Sequence, residues 1–214
     1  MGIYYSENMV AAKIGELLKS ETTDVDDKKI DDIILKMEDN NHITYNEEQK
    51  ESIKYSLKEN VVIITGGPGT GKSTVIKGIV DGLILLKEND FVSEDIALLA
   101  PTGRASKRLT EVTGHSAQTI HRFLGYQGKN NFAYGPENLV DNRIIIIDEM
   151  SMVDILIASR LLSSLHSNVK LIMVGDSDQL PSVAPGDVLC NLIESKEIKT
   201  IKLKQIHRQA ESPT

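Results

Sequence analysis

The chain has 214 residues with 24 Lys and Arg against 31 Asp and Glu, a formal net charge of −7, so it lacks the overall basic surplus of a nucleic-acid coat, although a local basic stripe is compatible with that total. Hydrophobic residues make up 40% and charged residues 26%, ordinary for a soluble globular protein large enough to fold without staples. The single cysteine, Cys190, excludes a disulfide framework and fits a reducing, cytoplasmic setting, and no apolar run approaches the ~18–20 residues of a membrane span.

From the N-terminus, the first sixty residues read as helices. The start "MGIYYS" formally matches an N-myristoylation pattern, but no basic cluster follows to supply the second membrane signal that stable anchoring needs. "SENMVAAKIGELLKS" sets Met9, Val10, Ile14, Leu17 and Leu18 on one face, and "DDKKIDDIILKMEDN" does the same with Ile30, Ile33, Ile34 and Met37. Asp24 is a candidate cap for the second helix. In "NEEQKESIKYSLKEN", Asn46 followed three residues later by Gln49 is a variant of the capping box and predicts a third helix.

Beyond residue 60 the pattern changes to five short β-branched runs: VVIIT (61–65), IALLA (96–100), IIII (144–147), VKLIMV (169–174) and IKTIKL (198–203). Helical stretches alternate with them: KSTVIKGIVDGLILLK, RASKRLTEV followed by AQTIHRFLG, DILIASRLLSSLH, and DVLCNLIES. Apolar strands alternating with helices predict an α/β fold, a parallel sheet covered on both faces and joined by right-handed crossovers. Residues 126–142 interrupt this rhythm with Gly, Asn, Pro136 and the aromatics Tyr126, Phe132 and Tyr134, and read as a loop or short hairpin.

Three polar strand ends carry the chemistry. "GGPGTGKS" (66–73) fits the G-x-x-x-x-G-K-S phosphate loop, follows a strand and opens a helix. Gly67, Pro68, Gly69, Thr70, Gly71, Lys72, Ser73 and Thr74 are therefore the candidate nucleotide-binding stretch. Backbone N–H groups and the helix N-terminus would cradle phosphate, Lys72 would reach the β- and γ-phosphates, and the Ser73 hydroxyl would bind Mg²⁺. Asp148 closes the apolar run 144–147 and suits the second Mg²⁺ carboxylate, while Glu149 is placed to orient or deprotonate an attacking water. The third end, "GDSDQL", offers Gln179, a neutral amide able to contact the γ-phosphate or its water; Asp176 and Asp178 suit capping the loop. In P-loop proteins with an added strand the sheet order is 5-1-4-3-2. That order sets the fourth strand between the phosphate-loop strand and the Asp148 strand, with Gln179 emerging beside the γ-phosphate.

Six stretches, "GGPGTGKST", "LLAPTGRASKRL", "QTIHRFLG", "IIIIDEMSMVD", "VGDSDQLPSVAPGDVL" and "LKQIHRQAESP", occur in the order of superfamily 1 helicase motifs. From about Gln49 onward the chain resembles the RecD family, the exodeoxyribonuclease V alpha-type 5′→3′ DNA helicases. The resemblance implies an ATP- and Mg²⁺-dependent, RecA-like motor domain over 45–214 behind a helical segment at 1–44. It implies an adenine-reading role for Gln49, compatible with its capping role, γ-phosphate sensing for Gln179, and charge neutralisation by Arg208. It also implies that single-stranded DNA is gripped by Thr102, Arg104 and Lys107 in "APTGRASKRL" and by Thr119 and His121 in "TIHRF", although His121 also suits a buried, hydrogen-bonded role. Arg108 is read as pairing with a surface acid. At 126–142 the family carries a small hairpin that splits duplex, in which Phe132 or Tyr134 would stack on a base or pack beneath the loop. A second RecA-like domain completes the motor in such helicases and lies outside these residues, so a fragment with weak nucleotide binding and little hydrolysis is expected, in a protein that works alone or with nuclease and helicase subunits. The competing readings are a P-loop ATPase acting on a protein partner and a non-catalytic scaffold. A kinase would want an arginine-rich lid and a GTPase an N-K-x-D motif, neither of which occurs.

Overall fold

The computed structural model describes residues 2–22, 24–86, 93–179 and 187–204. Three helices come first: α1 (Ile3–Lys19), α2 (Asp27–Asn41) and α3 (Glu47–Lys58). The strands and helices that follow are β1 (Val61–Thr65), α4 (Lys72–Leu86), β2 (Ile96–Ala100), α5 (Gly103–Thr113), β3 (Ala117–Thr119), α6 (Ile120–Phe123), the hairpin strands β4 (Tyr126–Gly128) and β5 (Asn131–Phe132), β6 (Ile144–Ile147), α7 (Ile155–Ser163), β7 (Lys170–Gly175), α8 (Val188–Glu194) and β8 (Lys199–Lys202).

The main sheet runs β3-β2-β6-β7-β1-β8, every neighbouring pair parallel. This is the expected 5-1-4-3-2 order with one strand more, β3, on the edge beside β2. The sequence reads 117–125 as wholly helical, whereas Ala117–Thr119 pairs with Leu98–Ala100 and only Ile120–Phe123 is helical. Three residues are too few to show a strand's alternation, and Thr119 serves both as strand end and as helix cap, its side chain accepting from Arg122 N at 3.1 Å. A second correction concerns α2: its cap is Asp26, which accepts from Lys28 N, rather than Asp24.

Strand side chains alternate between two cores, as a pleated sheet requires. Val61, Ile63, Leu99, Ile145, Ile147, Leu171 and Met173 face one side, where Val10, Ile14 and Leu17 of α1 and the apolar side of α7 cover them. Val62, Ile64, Leu98, Ile144, Ile146, Ile172 and Val174 face the other, under α2, α3, α4 and α5. Both layers are needed because the central strands are buried along their whole length. The N-terminal helices thus lie on opposite faces of the sheet, and Asn60 ties the end of α1 to the start of β1 by donating to the Ser20 carbonyl at 2.8 Å.

Candidate functional site

The C-terminal ends of β1, β6 and β7 are neighbours, so the polar residues that follow each strand meet. After β1 the chain turns through residues 66–71 with Gly69 and Gly71 at φ of 75° and 86°, a left-handed geometry that glycine adopts without steric cost. Thr70 is buried and donates to the Gly67 carbonyl at 2.8 Å, and Lys72 Nζ donates to the carbonyls of Gly66 and Gly67 at 2.7 and 3.0 Å. Lys72 also opens α4, so its ammonium and the positive end of the helix dipole share one spot.

After β6, Asp148 is 9% exposed and its Oδ1 accepts from the Glu149 N–H at 2.9 Å. Burial pushes its carboxyl up to about 6; the Glu149 charge adds to this, while the Glu149 N–H, Lys72 and Arg108 oppose it. Glu149 has φ 53° and ψ 39°, a left-handed conformation that costs a non-glycine residue of order 1 kcal/mol or more and often marks a working site. After β7, Asp176 is buried and accepts from the Asp178 N–H at 3.0 Å, the loop-capping role expected of it. Ser177 is bound to the end of β1: Thr65 Oγ1 donates to its hydroxyl at 2.9 Å and accepts from its N–H at 3.0 Å. Gly175 lets β7 pass close to the loop after β6, since a Cβ there would sit 2.8 Å from Leu189 and 3.1 Å from Ser151 N.

One cavity of about 850 Å³ is lined by Pro68, Gly69, Thr70, Gly71, Lys72, Ser73 and Thr74, by Asp148 and Glu149, and by Gln179. Ala105, Arg108, Leu109 and Val112 of α5 close its side. Arg108 was missed by sequence reading, which gave it to a surface acid. It is exposed, makes no ion pair with a described residue, and faces the Asp148 side of the cavity. The i, i+3, i+4, i+7 spacing of 105, 108, 109 and 112 was the signal that one helix face would line a single feature.

Gln49 sits apart from this lining. It is 4% exposed and completes the capping box of α3, its N–H donating to Asn46 Oδ1 at 2.9 Å and its Oε1 accepting from Asn46 N at 3.0 Å. Arg208 falls outside the described residues. Thr102 and Thr119 occupy equivalent positions, each capping a helix at the end of one of two adjacent parallel strands. Each side-chain oxygen accepts from the helix backbone, which leaves the hydroxyl proton available to an acceptor. Arg104 and Lys107 are exposed on α5. His121 is half-buried against rings, 5.4 Å from Tyr126 and 6.0 Å from Phe132, rather than buried and hydrogen-bonded. Phe132 packs against the core below the hairpin, and Tyr134 is exposed.

A protein-family model described as an AAA domain matches residues 49–185. The chain belongs to that family. Its relatives include the ATP-dependent RecD2 DNA helicase of Deinococcus radiodurans, 40% identical over 164 residues, which cover 77% of this chain and 22% of that protein. They also include the RecBCD enzyme subunit RecD of Mycolicibacterium smegmatis, 36% identical over 189 residues and covering 78% and 34%. The structure of the Bacteroides Pif1 helicase in complex with ADP-AlF3 and ssDNA matches with TM-score 0.50 and 25% identity, over 79% of this chain and 44% of that one. This AAA-domain chain therefore spans only 22% to 34% of the length of these two curated relatives. Among the described residues, no helix is long and apolar enough to cross a membrane.

Proposed function

We propose that the chain is the first motor domain, residues 45–214 behind the helical segment 1–44, of an ATP-dependent RecD-type DNA helicase with 5′→3′ polarity. The observation that carries this reading is the meeting of Lys72, Asp148, Glu149 and Gln179, from three strand ends, on one cavity large enough for a nucleotide. Lys72 and the loop N–H groups hold the phosphates, Glu149 orients the attacking water, and Gln179 contacts the γ-phosphate. Arg108 adds a second positive charge to the same cavity, and Gln49 reads adenine with the part of its amide not used by the cap. Arg208 neutralises charge on the γ-phosphate.

Mg²⁺ fits the residues present. Asp148 is a buried carboxylate whose charge is poorly compensated by protein alone, Ser73 adds an oxygen, and Mg²⁺ characteristically takes one or two protein oxygens together with substrate phosphates. Asp148 and Ser73 would hold it, and when bound it would supply charge neutralisation for the phosphates. Thr102, Arg104, Lys107, Thr119 and His121 form the single-stranded DNA track, which contacts backbone and reads no sequence. A second RecA-like domain supplies the rest of the cleft and track, and nuclease or helicase subunits are further partners.

The test is ATP turnover by the intact protein with and without single-stranded DNA. A large stimulation that added salt abolishes is expected; turnover indifferent to DNA would overturn the helicase reading. The 214-residue chain alone is expected to bind Mg-ATP weakly, hydrolyse little and unwind nothing.

A further inference from the structure

Among the described residues, the buried side-chain oxygens without a hydrogen-bond partner belong to Ser6, Tyr45, Ser56 and Ser151. A folded protein rarely leaves such a group without cause. Of these, Ser151 alone belongs to the strand ends that build the nucleotide cavity. It sits in a short helical turn, Met150–Met152, directly after Glu149, and is 8% exposed. The cavity lining does not include it. Buried hydroxyls elsewhere return to a carbonyl of their own helix, as Ser52 does to Glu48 and Thr113 to Leu109, each at 2.7 Å. The left-handed backbone of Glu149 denies Ser151 that route, because the residues three and four before it, Asp148 and Ile147, close a strand instead of a helix.

The turn holding Ser151 packs against β7 and α8. A Cβ on Gly175 would stand 3.1 Å from Ser151 N and 2.8 Å from Leu189 of α8, so the loop 175–179 leaves β7 directly against this turn. The bonds of that loop are uneven. Its Gly175 carbonyl accepts from Gly66 N at 3.1 Å, and its Asp176 carbonyl from Gln179 N at 3.3 Å. The Ser177 carbonyl has as its partner among the described residues only the Cys190 thiol of α8, a weak donor, at 3.5 Å. A hydroxyl without an acceptor and a carbonyl with a weak donor thus stand on the two loops that carry Glu149 and Gln179. We propose that Ser151 is a positioning residue for ATP hydrolysis: in the hydrolytic arrangement its hydroxyl donates to the Ser177 carbonyl and holds Glu149 and Gln179 in register on the γ-phosphate. A bond absent from the nucleotide-free chain and made only on the way to the transition state speeds the chemical step without tightening substrate binding. The inference rests on the reading of the cavity as an ATPase site, and it adds a residue that touches neither nucleotide nor cation.

The experiment compares Ser151→Ala with wild type in two ways: melting of the 214-residue chain without nucleotide, and ATP turnover by the intact protein with single-stranded DNA. Removing an unpaired buried hydroxyl should raise the nucleotide-free melting temperature by about 2–4 °C. The same change should lower kcat about tenfold at unchanged KM, the mark of a contact made only in the transition state. A side chain that merely fills space would not give this pairing of greater stability with slower chemistry. Hydrogen exchange of the wild-type intact protein, read by mass spectrometry, needs no variant. Peptides covering 149–152 and 175–179 should gain protection together with Mg-ADP and aluminium fluoride, a mimic of the transferring phosphoryl group, and not with Mg-ADP alone. A Ser151→Ala variant with wild-type kcat, or one that is slower and also melts lower, would overturn the proposal. Protection confined to one of the two peptides, or equal with both ligands, would do the same. If wild type turns over ATP while Ser151→Ala is unaffected, the role of Ser151 falls and the ATPase reading stands. A wild type without turnover would overturn both.

Discussion

Lys72 and Glu149 line one cavity but are assigned different steps, so their substitutions should separate. With Mg-ATP at a hundred times its dissociation constant, binding adds about 2.7 kcal/mol, a rise of about 5–10 °C in melting temperature for a chain of this size. Lys72→Ala, without the ammonium that now bridges the Gly66 and Gly67 carbonyls, should show almost none of that rise at the same concentration. Glu149→Gln should keep it, and in the intact protein should lower turnover by about 10²–10⁴; a Glu149→Gln variant that turns over ATP normally would remove Glu149 from the chemistry. At this scale much was legible. The phosphate loop, the Asp148 carboxylate and the Asn46–Gln49 capping box all announce themselves through residue type at fixed spacing. The left-handed backbone of Glu149 did not, because no glycine or asparagine marks it: tertiary packing, not local preference, holds it there. Arg108 was equally hidden, since a basic residue on an amphipathic helix says nothing about which neighbour its face will meet.

The element in which this matters most is α5. One side, Ala105, Arg108, Leu109 and Val112, borders the nucleotide cavity, while Thr102, Arg104 and Lys107 stand exposed at its start and along its outer side. A single rigid helix thus carries residues for both proposed ligands, a physical route by which DNA and nucleotide can bias one another. Arg108→Gln should weaken Mg-ATP binding several-fold and leave the salt slope of DNA binding unchanged. Lys107→Gln should do the reverse, lowering that slope by about 1 at constant ATP affinity. Isothermal titration for ATP and salt-dependent anisotropy for DNA measure the two arms, and an exchange of the two phenotypes would reverse the assignment of the faces. Strand boundaries were legible to within a residue because near-continuous β-branched runs have few alternatives. Ala117–Thr119 was not, since its pairing with β2 is a long-range fact and its three residues carry no period.

Two features at the junction of the sheet with its helices bear on the stability of the whole molecule, with opposite signs. The first is Lys170 at the head of β7, whose ammonium donates to the carbonyl of Glu59, the C-terminal cap of α3. Burial pushes this lysine down to about 8 from 10.5, against the pull of Glu59. Below pH 8 folded and unfolded chains both carry the charge; between about 8 and 10.5 the unfolded chain holds more protons, so this group makes stability rise with pH. Lys170→Met should therefore be more resistant to urea than wild type at pH 7, with the gap closing as pH approaches 10.5. The second feature is α1, which the sequence reads only as an amphipathic helix at the start of the chain. Its Val10, Ile14 and Leu17 belong to the same core as Ile63, Ile147 and Met173 of the central strands, packed against α7. No local pattern reveals which sheet face a helix will cover, because that depends on the handedness of the connections between them. Leu17 is fully buried, and Leu17→Ala should cost about 2–5 kcal/mol, whereas Leu35→Ala, at a position 58% exposed on α2, should stay within about 0.5 kcal/mol of wild type. If α1 were a loosely attached appendage, Leu17→Ala would leave the urea midpoint of the sheet unmoved. If it is structural cover, removing residues 1–22 should uncover the sheet face and give a chain that binds a hydrophobic dye and loses its single cooperative unfolding transition.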